Sequence, residues 1–214
     1  YVLNSVNPYR LEGQKTIAFE VLEQMDWEVP DRVVLPVGNA GNISALYKGF
    51  REFHEAGIID EIPMMTGVQA EGASPLASAA KKSSFDLEPF ESPETKATAI
   101  RIGDPVNFPK AKRAIESTGG AATKVTDEEL MDIQSSLASM EGIGVEPASA
   151  TSVAGVRKLL DEGEVDGTET VVCDATGHLL KDPDAALEAS PPPMSAEPTD
   201  EGVKKALEEA EKGT

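Results

Sequence analysis

Residues 31–42 read Asp31-Arg32-Val33-Val34-Leu35-Pro36-Val37-Gly38-Asn39-Ala40-Gly41-Asn42. The apolar run at the start of this segment predicts a buried strand, and the glycine and asparagine residues after it predict a loop. Apolar residues at helical spacing from Ile43 to Ala56 predict a helix directly after the loop. A strand, a glycine loop and a helix in this order are typical of an α/β domain with a parallel sheet.

The loop of this segment is interpreted as an anion site. A helix N-terminus has unpaired backbone N–H groups and partial positive charge, so it binds anions through the main chain. Gly38 and Gly41 allow close approach of the backbone, and Asn39 and Asn42 tolerate left-handed geometry and add donors. An ordinary strand-to-helix turn is the alternative. The spacing is neither that of a dinucleotide fold nor that of an NTPase loop, so the phosphate belongs to another kind of ligand.

Composition bounds the class of protein. The chain has 214 residues, 40% hydrophobic and 27% charged, which suits one large domain or most of one. Its apolar runs have the length of strands, so we expect no membrane-spanning helix. The chain starts with the apolar segment at Tyr1, from which we expect that the beginning of the native protein is absent. Cys173, the only cysteine, excludes an intramolecular disulfide, suits the cytoplasm and is interpreted as core packing. No pattern of residues indicates a metal site.

The charge of the chain is strongly negative. Asp and Glu number 38 against 19 Lys and Arg, which gives a formal net charge of -19 and argues against nucleic acid as a partner. The acidic residues are spread along the chain, which indicates a halophilic surface adapted to high salt. An acidic face for a basic partner is the alternative.

The pattern along the chain alternates between helices and strands. We predict strands at 33–35, 62–68, 121–125 and 168–175, helices at 12–25, 43–56, 72–80, 108–117, 127–140, 149–162 and 201–211, a loop at 81–94, a short extended or helical piece at 97–103, and an extended linker at 187–198. The fold class is therefore α/β, a parallel sheet with helices on both faces and ligands at the carboxyl ends of the strands. Residues 1–190 form the large domain, and 191–214 form a Pro-rich linker and a C-terminal helix.

Several segments together resemble the threonine synthase family. They are Asn4-Ser5-Val6-Asn7-Pro8-Tyr9-Arg10 with Glu12-Gly13-Gln14-Lys15-Thr16, the Pro36–Asn42 loop, Gly67-Val68-Gln69-Ala70-Glu71-Gly72-Ala73, Ala97-Thr98-Ala99-Ile100-Arg101-Ile102-Gly103, Glu146-Pro147-Ala148-Ser149-Ala150, and Thr176-Gly177-His178 before Lys181-Asp182-Pro183. The resemblance implies a pyridoxal-phosphate enzyme of fold type II, the tryptophan synthase β type, acting in threonine biosynthesis. It implies a lyase that converts O-phospho-L-homoserine and water into L-threonine and phosphate.

The resemblance assigns cofactor-binding residues. Gly38, Asn39, Ala40, Gly41 and Asn42 would hold the phosphate of pyridoxal 5'-phosphate, in agreement with the anion site read from the loop. Thr176 would present its hydroxyl to the pyridine nitrogen. Without the resemblance, Thr176 and the glycine after it form a plain turn.

The resemblance also assigns substrate-binding residues. Ser5 and Arg10 would contact the phosphate of O-phospho-L-homoserine, and the planar guanidinium suits a phosphate dianion. Asn39 and the backbone of Thr98 and Ala99 are further candidates. On sequence alone, Arg10 is a solvated or paired surface group.

The catalytic lysine of the family has no counterpart here. Its Schiff-base motif precedes the segment matched by Asn4, so we expect it in an upstream segment or a partner chain, and the chain corresponds to the carboxyl-terminal part of an enzyme that is a homodimer when complete. We expect these residues to be incomplete as a fold and inactive alone, and Lys15 to be structural. The alternatives are another fold type II enzyme, such as cysteate synthase or threonine dehydratase, half of a split enzyme, or a non-catalytic phosphate-binding fragment.

Overall fold

The computed structural model describes residues 4–82, 84–190 and 194–211. Four parallel strands form its sheet: β1 (Arg32–Pro36), β2 (Met64–Ala70), β3 (Ala122–Val125) and β4 (Val171–Cys173), in the order β3-β2-β1-β4. The register pairs Val34 with Thr66 on one side and with Cys173 on the other. The predicted α/β class with a parallel sheet is confirmed.

Nine helices lie in the described ranges. They are α1 (Pro8–Gln14), α2 (Thr16–Gln24), α3 (Gly41–Glu55), α4 (Pro75–Ala80), α5 (Phe108–Thr118), α6 (Asp127–Glu141), α7 (Pro147–Asp161), α8 (Pro183–Ala189) and α9 (Asp200–Glu211), with 3₁₀ turns at Glu71–Ala73, Thr98–Ile100 and Leu179–Lys181. A capping box starts α6: the Glu129 N–H donates to the Thr126 hydroxyl at 3.2 Å, and the Thr126 N–H donates to the Glu129 carboxylate at 2.6 Å.

Helices cover both faces of the sheet because the interior strand β1 has apolar side chains on both of its faces. Val33 and Leu35 pack in one core with α2, α3 and α5, whereas Val34 points to the other face and packs with α6 and α7. Successive residues of a strand face opposite sides, so an unbroken apolar run requires two covered faces. This arrangement leaves the ends of the strands as the open part of the sheet.

Several predicted boundaries are wrong. The predicted helix 72–80 is a 3₁₀ turn followed by α4, and the predicted strand 62–68 is β2, which begins and ends two residues later. The predicted helix 12–25 is split at Lys15, where the Thr16 hydroxyl donates to the Gly13 carbonyl at 2.8 Å and competes with the helical hydrogen bonds. The strand predicted at 168–175 is limited to β4, an edge strand that pairs only with β1. Leu187–Ala189, predicted as linker, belong to α8, while Pro191–Pro193 lie outside the described residues.

Candidate functional site

The loop from Gly38 to Asn42, here called the cradle, joins the carboxyl end of β1 to the N-terminus of α3. Ala40 lies immediately before the helix and has φ 60° and ψ 16°, the left-handed conformation. A non-glycine residue in this region is strained, and such strain is concentrated at ligand-binding loops. The first N–H groups of the 15-residue α3 are therefore presented at the open end of the sheet.

The glycines of the cradle serve close packing rather than left-handed geometry. A Cβ on Gly38 would lie 3.1 Å from the Cα of Ile100 and 3.3 Å from the carbonyl oxygen of Ala99. A Cβ on Gly41 would lie 3.3 Å from the Ser5 hydroxyl. Asn39 and Asn42 tolerate the left-handed conformation, but the residue of the cradle that adopts it is Ala40.

A cavity of about 270 Å³, here called the sheet-edge cleft, opens beside the cradle. It is lined by Asn4, Ser5, Arg10, Gln14, Pro36, Gly38, Asn39, Ala40, Gly41, Asn42, Ala99, Ile100, Glu146, Ala148, Thr176 and Lys181. Among these are all the residues predicted from the sequence to bind cofactor or substrate, with the exception of Thr98. Segments from five parts of the chain thus meet at the carboxyl ends of the strands, where ligands of α/β sheets bind.

Thr98 lies beside the cleft but does not line it. Its hydroxyl donates to the Asp182 carboxylate at 3.1 Å, a bond that ties the 3₁₀ turn Thr98–Ile100 to the start of α8. The sequence predicted that the backbone of Thr98 and Ala99 binds the substrate. Ala99 lines the cleft, and its carbonyl oxygen lies next to Gly38.

Arg10 is an unusual cation for so acidic a chain. It is exposed on α1, lines the sheet-edge cleft and has no ion-pair partner among the residues that the structure describes. Other basic side chains at this end of the protein are engaged: Lys15 lies 2.6 Å from Glu12 and 2.7 Å from Glu52. A guanidinium without a carboxylate beside it is available to an anion in the cleft.

Thr176 is held in place by α7. Its hydroxyl lies 2.8 Å from the hydroxyl of buried Ser149, which also accepts the Gly177 N–H at 2.6 Å. The chain therefore leaves β4 in a turn that is bonded to the N-terminal part of α7. This turn presents the Thr176 side chain at the cleft.

Asn42 connects the cradle to β4. Its amide Nδ2 donates to the Asp174 carboxylate at 2.6 Å, and its Oδ1 is buried with no hydrogen-bond partner within the described ranges. Burial raises the pKa of Asp174, partly offset by the hydrogen bond from Asn42. An acid with a raised pKa beside an anion-binding loop is a feature of functional sites.

The sequence predicted no individual role for four residues of the site: Glu146, Ser149, Asp174 and Lys181. Glu146 precedes the proline that starts α7, and Lys181 belongs to the last of the family-like segments, so both were visible only as parts of motifs. Their roles depend on side chains that are remote in sequence.

Four other residues do not line the sheet-edge cleft: Lys15, His54, His178 and Cys173. Lys15 is part of the ion-pair network with Glu12 and Glu52, as its structural interpretation requires. His54 is in the last turn of α3, and the His178 ring accepts the Leu180 N–H at 3.2 Å. Cys173 is a free thiol in β4, and burial raises its pKa to about 11, which disfavours the nucleophilic thiolate.

Membrane-spanning helices and metal-binding clusters are both absent from the described ranges. Within those ranges, every helix is too short or too polar to cross a lipid bilayer. The same ranges contain no group of three or more His, Cys, Asp and Glu side chains arranged to hold a metal ion.

The chain is similar to known proteins in sequence and in fold. The chain is 60% identical over 209 residues to threonine synthase of Methanocaldococcus jannaschii, covering 98% of this chain and 52% of the relative. The chain spans about half the length of the curated relatives it matches. Its fold is similar to that of Escherichia coli threonine synthase, with TM-score 0.70, 19% identity and coverage of 95% of this chain and 45% of that one.

A threonine deaminase of Solanum lycopersicum has a similar fold, with TM-score 0.69, 17% identity and coverage of 86% of this chain and 50% of that one. Residues 1–177 match the family described as pyridoxal-phosphate dependent enzyme, and this match contains the cradle, Arg10 and Thr176. The chain belongs to the family of pyridoxal-phosphate dependent enzymes.

Proposed function

We propose that this chain supplies the phosphate-binding half of a threonine synthase, which converts O-phospho-L-homoserine and water into L-threonine and phosphate. The observation that carries the proposal is that the cradle shares one cleft with Arg10, which has no ion-pair partner in the described part of the chain. A phosphorylated cofactor and a phosphorylated substrate require two anion-binding elements side by side. The 60% identity to a protein named threonine synthase supports the same activity.

The residues of the cradle fit the phosphate of pyridoxal 5'-phosphate. Ala40 is held in the left-handed conformation, Gly41 adds no Cβ toward Ser5, and α3 directs its first N–H groups to the same place. We propose that Gly38, Asn39, Ala40, Gly41 and Asn42 hold this phosphate. The bound cofactor would delocalise the negative charge that develops on substrate carbon atoms.

Thr176 is proposed to face the pyridine nitrogen of the cofactor. Its hydroxyl is fixed by the bond to Ser149, and it lines the same cleft as the cradle. A neutral hydroxyl does not require a protonated ring nitrogen, as a carboxylate at this place would.

Ser5 and Arg10 are proposed to bind the phosphate of the substrate. The guanidinium donates two parallel hydrogen bonds to a phosphate, and the Ser5 hydroxyl lies at the rim of the cradle beside Gly41. Asn39 and the backbone of Thr98 and Ala99 complete the proposed set of substrate-binding groups. Together they would position O-phospho-L-homoserine for loss of its phosphate.

The catalytic lysine is proposed to lie outside these 214 residues, on an upstream segment or a partner chain. In the described part of the chain the lysine that lines the cleft is Lys181, which is paired with Glu146. Borohydride reduction of the protein saturated with pyridoxal phosphate, followed by mass spectrometry, tests this. A specific adduct on a lysine within residues 1–214 would overturn it.

Arg10→Ala tests the proposed function. In the complete enzyme, we expect the KM for O-phospho-L-homoserine to rise by about tenfold or more, because a charge-assisted pair is lost, while the affinity for pyridoxal phosphate stays within about twofold. Arg157→Ala is the matched control, since Arg157 is an exposed arginine of α7 that does not line the cleft. Unchanged kinetics would remove Arg10 from the site. A parent protein that deaminates threonine but makes none from O-phospho-L-homoserine would be a different enzyme of the family.

The setting of the enzyme is also proposed. The chain acts in the cytoplasm, which its free cysteine suits, and as a homodimer when complete, which light scattering tests. Its net charge of -19 is proposed to be an adaptation to high salt, where the repulsion is screened. Thermal unfolding in rising KCl checks this, and a protein that is most stable without added salt would contradict it.

A further inference from the structure

The sheet-edge cleft contains an ion pair that the proposed function leaves unassigned. The Lys181 ammonium lies 3.0 Å from Oε1 of Glu146, and both residues line the cleft with Arg10. Their exposure differs sharply, because the Glu146 side chain is 3% exposed and the Lys181 side chain is 62% exposed. The carboxylate is thus an internal group that holds a cation at the cleft surface.

The position of Glu146 is built into the fold. Its backbone N–H donates to the Gly177 carbonyl at 2.9 Å, and a Cβ on Gly177 would lie 2.2 Å from the Glu146 carboxylate. Glu146 caps the N-terminus of α7 by position, yet its side chain makes no capping bond. Instead the carboxylate is buried against a glycine and directed to Lys181. A carboxylate buried in this way requires a cationic partner.

The Lys181 ammonium has N–H donors that make no hydrogen bond within the described ranges. It ends the 3₁₀ turn Leu179–Lys181, and the following residue, Asp182, accepts bonds from the Thr98 hydroxyl at 3.1 Å and the Ala185 N–H at 3.4 Å. An ammonium group has three N–H donors, and one hydrogen bond, to Glu146, is made within the described ranges. The turn thus places a partly solvated ammonium beside the loop that carries Ala99.

We infer that Lys181 is a second cation for the phosphate of the substrate, acting with Arg10 and positioned by Glu146. The inference rests on the proposed function. A phosphate ester at neutral pH carries up to two negative charges, and Arg10 supplies one positive charge. In a chain of net charge -19, a second local cation reduces the repulsion that a dianion meets on entering the cleft.

A purely structural role for Lys181 makes a different prediction. If Lys181 serves only to neutralise Glu146, Lys181→Met alone weakens binding by leaving a buried charge, and Lys181→Met combined with Glu146→Gln restores it. If Lys181 contacts the substrate phosphate, the double variant stays weak although the buried charge is gone. The double variant therefore separates the two roles and keeps the test meaningful where the single variant fails to fold.

The experiment titrates the complete, cofactor-saturated enzyme with O-phospho-L-homoserine and, in parallel, with L-homoserine, following the absorption of the cofactor. We expect the double variant to bind O-phospho-L-homoserine about tenfold more weakly than the parent, because a charge-assisted contact is lost. Binding of L-homoserine, which has no phosphate, should change by less than about twofold. The double variant keeps the net charge of the parent, and Lys82→Met is the net-charge control for the single variant Lys181→Met, since Lys82 pairs with exposed Glu88 at 2.7 Å away from the cleft.

The outcomes are distinct. Parent-like affinity for O-phospho-L-homoserine in the double variant would overturn the inference and leave Lys181 as a counter-ion. An equal loss for both ligands would also overturn it, because the effect would not depend on the phosphate. A parent protein that binds the cofactor but not O-phospho-L-homoserine would refute the proposed function itself, and the inference with it.

Discussion

The hydroxyl oxygens of Ser149 and Thr176 lie 2.8 Å apart and join the first turn of α7 to the turn that follows β4. Ser149 is fully buried and also accepts the Gly177 N–H at 2.6 Å. One hydroxyl therefore satisfies a backbone donor and orients a side chain of the sheet-edge cleft. This dual role makes Ser149 a test of how the site is held.

Ser149→Ala is expected to lower the free energy of unfolding by about 1–3 kcal/mol, because the Gly177 N–H loses its acceptor. The affinity for pyridoxal phosphate should fall as well, since the Thr176 hydroxyl loses its fixed orientation. Urea unfolding and cofactor titration measure the two effects. Ser152→Ala is the control in the same helix: its hydroxyl donates to carbonyl oxygens, so we expect a smaller loss of stability and an unchanged affinity.

Ala40→Gly is expected to raise the free energy of unfolding by about 1 kcal/mol, because glycine adopts the left-handed conformation without strain. The affinity for inorganic phosphate should fall, since a glycine leaves the cradle less ordered before binding. Ala45→Gly within α3 is the control and should destabilise by about 1 kcal/mol or more. A loss of stability in both variants would contradict the strain assigned to Ala40.

The buried pair of Arg32 and Glu169 should govern acid stability. Nε of Arg32 lies 2.8 Å from the Glu169 carboxylate and its NH1 donates to the Thr66 hydroxyl at 3.0 Å. Arg32→Met should cost about 3–5 kcal/mol, because Glu169 keeps its charge without a partner.

Arg32 lowers the pKa of Glu169 below its ordinary value of 4.5. The folded state then binds the proton less readily than the unfolded state, so the stabilisation is present above pH 4.5 and is lost as pH falls through the lower folded value. Glu169→Gln should therefore be less stable than the parent at pH 7, with a gap that closes in acid. Unfolding curves between pH 2 and 7 measure this, and a constant gap would refute it.

Ionisation of Asp174 should destabilise the folded state, the opposite of the effect at Glu169. Burial raises its pKa above the ordinary value of 3.8, so the ionised carboxylate destabilises the fold above the raised value. Asp174→Asn is expected to be more stable than the parent at pH 7, with the difference vanishing as pH falls below 3.8. Asp60→Asn, an exposed acid-to-amide change before β2, should leave stability unchanged. A destabilised Asp174→Asn protein at neutral pH would contradict the pKa direction.

Local elements could be predicted well because their signals are local. The apolar run before Gly38 predicts β1, and the Thr126–Glu129 pair predicts the start of α6, since a strand core and a capping box depend on neighbouring residues. The edge strand β4 was predicted too long because its length depends on a single partner strand. The split at Lys15 was not predicted, because it depends on the Thr16 hydroxyl, which donates to the Gly13 carbonyl and competes with the backbone hydrogen bonds of the helix.

The candidate site likewise has a part that local sequence predicts and a part that depends on residues remote in the chain. The cradle is contiguous in sequence, so its glycines, asparagines and following helix indicate an anion site without any knowledge of the fold. Arg10, Ala99 and Thr176 are far apart in the chain, and their shared cleft was expected only from the resemblance to a family. Glu146 and Lys181 had no predicted role, since an ion pair between residues 35 positions apart has no signal in one sequence.

The sequence by itself determined the alternation of strands and helices, the two-sided burial of β1 and the glycine loop before α3, because periodicity, capping and glycine act between near neighbours. The tertiary structure alone decided which side chains face that loop. Parallel pairing brings the carboxyl ends of the strands to one edge of the sheet, and the crossover helices pack on its two faces. This packing places Arg10 at the cleft with no ion-pair partner among the described residues, bonds Thr176 to Ser149 and directs buried Glu146 to Lys181.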